Sequence, residues 1–138
     1  MKQQHASKIT VGLLTAVILF HLCVITQIIP YSIVWAGKLK TTEEMLVFET
    51  ISIFVNLLLI TLLLLKSNYR QRGISNKIVD GFLWFFVFVF GLNTIGNLMA
   101  ESLFEKIVFT PLTLIFAILI GIVVKSPKKL PIATKTIK

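Results

Sequence analysis

The sequence predicts an all-α integral membrane protein, a bundle of four transmembrane helices with both termini in the cytoplasm (N-in/C-in). Hydrophobic residues make up 56% of the 138 residues and charged residues only 14%, which is far from the composition of a soluble domain. Four apolar runs are each long enough to cross a bilayer, which takes about 20 residues per helix. Lysines and arginines flank these runs, where they determine topology.

The four predicted helices form one domain over residues 1–125, and they cover residues 9–29, 43–65, 79–101 and 104–124. Lys2 and Lys8 precede the first run, which is also how a signal peptide begins. The run is longer than a signal core and no small-residue cleavage pattern follows it, so we interpret it as a retained helix that Pro30 ends. Residues 126–138 are predicted to form a disordered, basic cytoplasmic tail.

Capping patterns predict where two of the helices begin. Thr41 followed by Glu44 is a capping box directly before an apolar run, so the second helix is expected to start near Thr42. Ser102 and Glu105 repeat this pattern before the fourth helix, which leaves a tight hairpin after the third. Pro111 removes one backbone hydrogen bond within the fourth helix and is expected to kink it.

The basic residues predict the orientation of the bundle. With the N-terminus in the cytoplasm, eleven lysines and arginines fall on the inner side and three on the outer side, namely Lys38, Lys40 and Lys106. This distribution also explains the net charge of +8 without a nucleic-acid partner. The expected partner is a lipid bilayer, and a bacterial inner membrane suits this small, basic-ended chain best.

The residues that bind metals and cofactors are scarce in this sequence. Cys23 is the only cysteine, and we interpret it as a small buried hydrophobe. There is no HxxH, HExxH or cysteine pattern for a metal and no cofactor motif. The sequence therefore predicts neither a metal nor a cofactor, and it predicts no catalytic residue.

Polar residues inside the predicted spans are the candidates for function, because such residues are costly in a membrane. They form one stripe on each of the second and third helices, by the helical repeat. The two stripes comprise Glu49, Ser52 and Asn56, and Asn93, Asn97 and Glu101. The stripes share depth and direction, so they predict an outward-facing polar cleft between the two helices, which binds or moves a small cationic or polar ligand.

His21 in the first helix is a further candidate, and a pair between His21 and Glu49 is conceivable, although the sequence does not fix it. Two alternatives to ligand binding stay open. The polar residues can be packing contacts in a structural or regulatory subunit, either of a homo-oligomer or of another membrane protein. An intramembrane enzyme with His21 or a glutamate as acid or base is the third alternative, but no reaction class can be named for it.

Overall fold

The computed structural model describes residues 3–72 and 76–125, and all regular structure within these ranges is helical. The four main helices are α1 (Gln3–Ile25), α2 (Thr42–Gln71), α3 (Lys77–Leu98) and α4 (Thr110–Lys125). Counted with the turn that precedes it, α4 is one of four helices long and apolar enough to cross a membrane. The all-α class with four potential spans is therefore confirmed. The predicted tail, residues 126–138, lies outside the described residues.

The helices form an antiparallel bundle in which α1 packs on α2 and α4, while α3 packs on α4 and α2. We call the end with the α1–α2 and α3–α4 connections the Trp35 end, and the opposite end the Lys125 end. The larger hydrophobic core runs through all four helices and includes Leu14, Leu63, Leu83 and Phe116. Many large apolar side chains on the outer surface are exposed, which is consistent with helices long and apolar enough to cross a membrane.

Side-chain caps fix the beginnings of α2 and α3. The hydroxyl of Thr41 accepts a hydrogen bond from the backbone N–H of Glu44 at 3.1 Å, so α2 starts at Thr42 as its capping box predicts. The carboxylate of Glu44 accepts the N–H of Lys40, one residue before the position that a standard capping box uses. The Oδ1 atom of Asn76 accepts the N–H groups of Ile78 and Val79 and so caps α3.

The first helix is displaced along the chain from its predicted position, because it begins at Gln3 and ends at Ile25. Polar residues before the apolar run continue the helix, since helix formation does not require an apolar side chain at each position. The helix ends five residues before Pro30 because Gln27 takes a left-handed conformation with φ of 58°. His21 therefore lies four residues from the end of the helix.

The second helix continues beyond its predicted end to Gln71. Lys66 and Arg70 therefore belong to α2, and the polar connection to α3 is shorter than the sequence predicts. An ion pair joins Lys66 to Asp80 of α3, with both side chains partly buried. This pair holds the Lys125 ends of α2 and α3 together.

The third helix ends at Leu98, three residues earlier than predicted. Glu101 consequently lies in the α3–α4 connection and not on the helical stripe that Asn93 and Asn97 share. The backbone of Met99 closes the helix through bonds from its N–H to carbonyls of the last turn. Because one helical repeat no longer relates Glu101 to the two asparagines, the sequence-based placement of Glu101 on that stripe is wrong.

The disturbance predicted at Pro111 takes the form of a π-helical turn over Glu105–Phe109, directly before α4. Proline has no N–H to donate to the carbonyl four residues earlier, so the regular ladder is interrupted there. The N–H of Thr110 donates to the carbonyl of Glu105, which is the wider spacing of a π turn. The backbone N–H of Glu105 also lies 3.5 Å from the Ser102 hydroxyl, as the second capping pattern predicts.

Candidate functional site

The most deeply buried acidic side chain among the described residues is Glu49 of α2, which is 1% exposed. Glu49 lies seven residues after Thr42, which places it about 10 Å from the Trp35 end of the helix at a rise of about 1.5 Å per residue. A carboxylate at this depth of a potential membrane span requires polar partners, since burial of an unpaired charge is costly. The structure supplies two, from two other segments of the chain.

The first partner is His21 of α1, whose Nδ1 lies 2.5 Å from Oε2 of Glu49. The imidazole is 13% exposed and the carboxylate 1%, so the pair is largely screened from solvent. The ring of Phe20 lies next to His21, with ring centroids 6.0 Å apart, and it also contacts Phe104 and Phe109. The imidazole is therefore held between Glu49 and an aromatic cluster that joins α1 to the beginning of α4.

The second partner is Trp35 of the α1–α2 connection, whose indole Nε1–H donates a hydrogen bond of 2.8 Å to Oε1 of Glu49. Trp35 has a left-handed backbone with φ of 56°, which is unusual for a bulky residue and strained. The connection consists of two 3-10 turns, Tyr31–Ile33 and Trp35–Gly37. The small hydrophobic cluster of Val24, Val34, Leu39 and Met45 holds this connection against α1 and α2.

The other two members of the α2 stripe follow Glu49 toward the centre of the helix. Asn56 is the fifteenth of 30 residues and 9% exposed, and its Nδ2 donates to the backbone carbonyl of Ser52 at 2.8 Å. The hydroxyl of Ser52 donates in turn to the carbonyl of Phe48. These bonds remain within α2, so Asn56 satisfies one of its polar groups locally.

The α3 stripe bonds to α4, whereas the sequence predicts that it faces the α2 stripe across a cleft. Asn97 lies 3.4 Å from the hydroxyl of Thr113 on α4, and the hydroxyl of Thr94 donates to that same atom at 3.0 Å. Asn93 and Glu101 are exposed. Within residues 3–72 and 76–125, the stripe bonds that leave their own helix join Glu49 to α1 and to the α1–α2 connection, and Asn97 to α4, and none joins the two stripes to each other.

Sequence reasoning missed two members of these networks. Trp35 is expected at a membrane interface, but its bond to Glu49 depends on a left-handed backbone that no local pattern specifies. The hydroxyl of Thr113 bonds to Thr94 and Asn97 of α3, a contact that no local sequence pattern specifies. Its position on one face with Thr110 and Ala117 indicated a contact with another helix, but not which helix.

The Glu49 site, which we define as Glu49, His21 and Trp35, combines an ionisable pair with an indole donor. A carboxylate only accepts hydrogen bonds, so any group with an N–H can take the place of either donor. No three His, Cys, Asp or Glu side chains in the described part of the chain lie close enough together to hold a metal ion. The arrangement can bind a proton donor or a cation.

Comparisons with protein-family models, with curated proteins and with solved structures find no match to this chain. The interpretation of the four membrane-compatible helices and of the Glu49 site therefore depends on this chain's own sequence and structure. The chain is a small all-helical protein compatible with several passes through a membrane.

Proposed function

We propose that this chain is a four-span protein of a bacterial inner membrane that binds a small cationic or polar ligand at the carboxylate of Glu49. The observation that carries the proposal is a 1% exposed carboxylate inside a potential membrane span, held by donors from two other segments. Ionisable side chains in such positions usually serve a ligand, ion or proton pathway. On binding, the ligand takes the place of His21 or Trp35 as a partner of the Glu49 carboxylate.

The aromatic surroundings of the Glu49 site favour a cation as the ligand. Trp35 lies beside Phe48, with ring centroids 5.0 Å apart, and aromatic faces attract cations in addition to the carboxylate. A small amine that carries N–H groups also replaces the donors that it displaces. We therefore propose protonated amines, which carry both the charge and the N–H groups, as the first ligand class to test.

We propose that the ligand enters from the Trp35 end, which faces the outside in the N-in/C-in orientation. Trp35 is 37% exposed and covers one oxygen of Glu49, so its displacement would open the carboxylate to that side. Ser52 and Asn56 continue inward along α2 as further polar contacts for a ligand. Asn93, Asn97 and Glu101 remain candidates for the opposite wall of a cleft between α2 and α3.

The proposed orientation predicts which end of the bundle a membrane-impermeant maleimide reaches in intact cells. In a Cys23→Ser background, Ser32→Cys at the Trp35 end is expected to be labelled, while Ile78→Cys at the Lys125 end is labelled only after lysis. Both positions are exposed and uncharged, so the lysine and arginine balance is unchanged. Labelling of Ile78→Cys but not of Ser32→Cys in intact cells would show that the orientation is the opposite of the proposed one.

The ligand proposal predicts a thermal stabilisation that depends on Glu49. Purified full-length protein in detergent is screened against monovalent cations, primary and quaternary amines, and neutral polar solutes. A ligand at 100 times its dissociation constant is expected to stabilise the wild type by about 2.7 kcal/mol, whereas Glu49→Gln shows no shift. Glu43→Gln is the matched control, because it removes the same charge from an exposed position in the first turn of α2.

Two outcomes of this screen contradict the proposal. An equal shift in Glu49→Gln would place the ligand elsewhere. No shift with any solute, together with a membrane protein that repeatedly copurifies with the wild type, would favour the structural subunit, in which the three residues only hold the Trp35 end together. Glu49→Gln keeps an oxygen that accepts from Trp35, and gel filtration shows whether the variant stays folded.

A further inference from the structure

A groove of about 530 Å³ lies between α3 and α4 at the Lys125 end. Its lining includes Trp84 and Val87 of α3, and Ala117, Ile118, Gly121 and Lys125 of α4. It is remote from the Glu49 site, which lies near the other end of the bundle. The groove is predominantly apolar, and its one charged lining residue is the exposed Lys125 at the end of α4.

Small side chains on α4 make room for the groove. Ala117 and Gly121 continue the face of α4 on which Thr113 bonds to α3, a face of small residues that normally allows close helix packing. Here, a Cβ atom added to Gly121 would meet no atom within 4 Å. The face of small residues on α4 therefore contacts α3 at Thr113, whereas open space remains beside Gly121.

The polar end of the groove has the charge and shape to receive an anionic headgroup. The Nζ atom of Lys125 lies 5.6 Å from the ring centroid of Trp84, so a cation and an amphipathic indole meet at one position. Trp and Lys at this depth are typical of the membrane interface, and basic residues between helices bind anionic headgroups. The apolar remainder of the groove continues along α4 toward the centre of the bundle.

We infer that this groove binds an anionic phospholipid, with its phosphate at Lys125 and one acyl chain along Ala117 and Gly121. The lipid class follows from charge complementarity with Lys125, since a zwitterionic headgroup offers no net charge to it. Binding at the groove is independent of the Glu49 site and of the ligand proposed there. Lipid binding at the groove requires only that the bundle lies in a bilayer.

The test measures which lipids stay bound to the full-length protein. The protein is reconstituted in nanodiscs of equal phosphatidylglycerol and phosphatidylcholine, released, and analysed by native mass spectrometry. Wild type is expected to retain phosphatidylglycerol in excess. Lys125→Gln is expected to lower that excess about fivefold, the effect of one basic residue at an anionic membrane surface. Gly121→Leu fills the groove and is expected to abolish retention without loss of folding.

Helix α1 provides a matched control pair. Lys8 and Gly12 are four residues apart, as are Gly121 and Lys125, and they lie at the same Lys125 end of the bundle. A Cβ atom on Gly12 also meets nothing within 4 Å. Lys8→Gln and Gly12→Leu are expected to retain lipid as wild type does. The inference is overturned if Lys8→Gln lowers the excess as much as Lys125→Gln, if Gly121→Leu retains lipid normally, or if Gly121→Leu converts an oligomer to a monomer, which would identify a second copy as the occupant.

Discussion

Replacing His21 with leucine is expected to lower the free energy of unfolding by about 3–5 kcal/mol, because it leaves the Oε2 atom of a buried carboxyl group without its partner. Nδ1 of His21 lies 2.5 Å from Oε2 of Glu49, and the carboxylate is 1% exposed. The measurement is reversible unfolding of the purified protein in mixed detergent micelles.

The double variant His21→Leu/Glu49→Leu distinguishes this explanation from a simple packing defect. It removes the carboxyl group that the single variant leaves unpaired, so it is expected to recover about 2 kcal/mol. Thr15→Leu on α1 is the control, since the Thr15 hydroxyl is exposed and bonds only within the helix, and we expect a change within about 0.5 kcal/mol. The pairing would be contradicted if the loss of unfolding free energy in the double variant equalled the sum of the losses in His21→Leu and in Glu49→Leu.

Trp35→Phe is expected to lower the free energy of unfolding by about 1.5–3 kcal/mol, the contribution of a hydrogen bond to a charged group. Phenylalanine keeps an aromatic ring beside Phe48 but removes the Nε1–H that donates to Glu49 at 2.8 Å. Trp84→Phe is the matched control at the opposite end of the bundle, and we expect it to cost under about 1 kcal/mol, the contribution of an exposed cation–π contact. Equal effects of the two substitutions would show that the indole donor contributes nothing.

The sequence predicted the features of the fold that depend on local chemistry. Four apolar runs gave four helices of membrane-spanning length, and Thr41 marked the start of α2 because its hydroxyl caps the adjacent turn. The end of α1 was missed, since it depends on the left-handed conformation of Gln27 rather than on Pro30. Glu101 was misplaced for a similar reason, because hydrophobicity alone did not reveal that α3 ends at Leu98.

The sequence identified Glu49 and His21 as candidate residues and left a pair between them open, without fixing which side chain Glu49 meets. Glu49 was selected because a carboxylate within an apolar run is costly, and that cost is the same whichever helix supplies the partner. Helical periodicity shows which residues share a face but not which neighbour that face meets. The bond between His21 and Glu49 spans 28 residues, so it depends on how α1 and α2 pack.

A ligand that binds at the Glu49 carboxylate changes the surroundings of the His21 ring, whose Nδ1 lies 2.5 Å from Oε2 of Glu49, so nitrogen NMR of the two histidines tests ligand binding at Glu49 most directly. Protein with 15N-labelled histidine is placed in nanodiscs and titrated with the amine that gives the largest thermal shift. The ring nitrogen signals of His21 are expected to move on saturation, while those of His5, an exposed residue near the start of α1, are expected to stay unchanged. Stabilisation by the amine with unchanged His21 signals would contradict it and place the ligand away from Glu49.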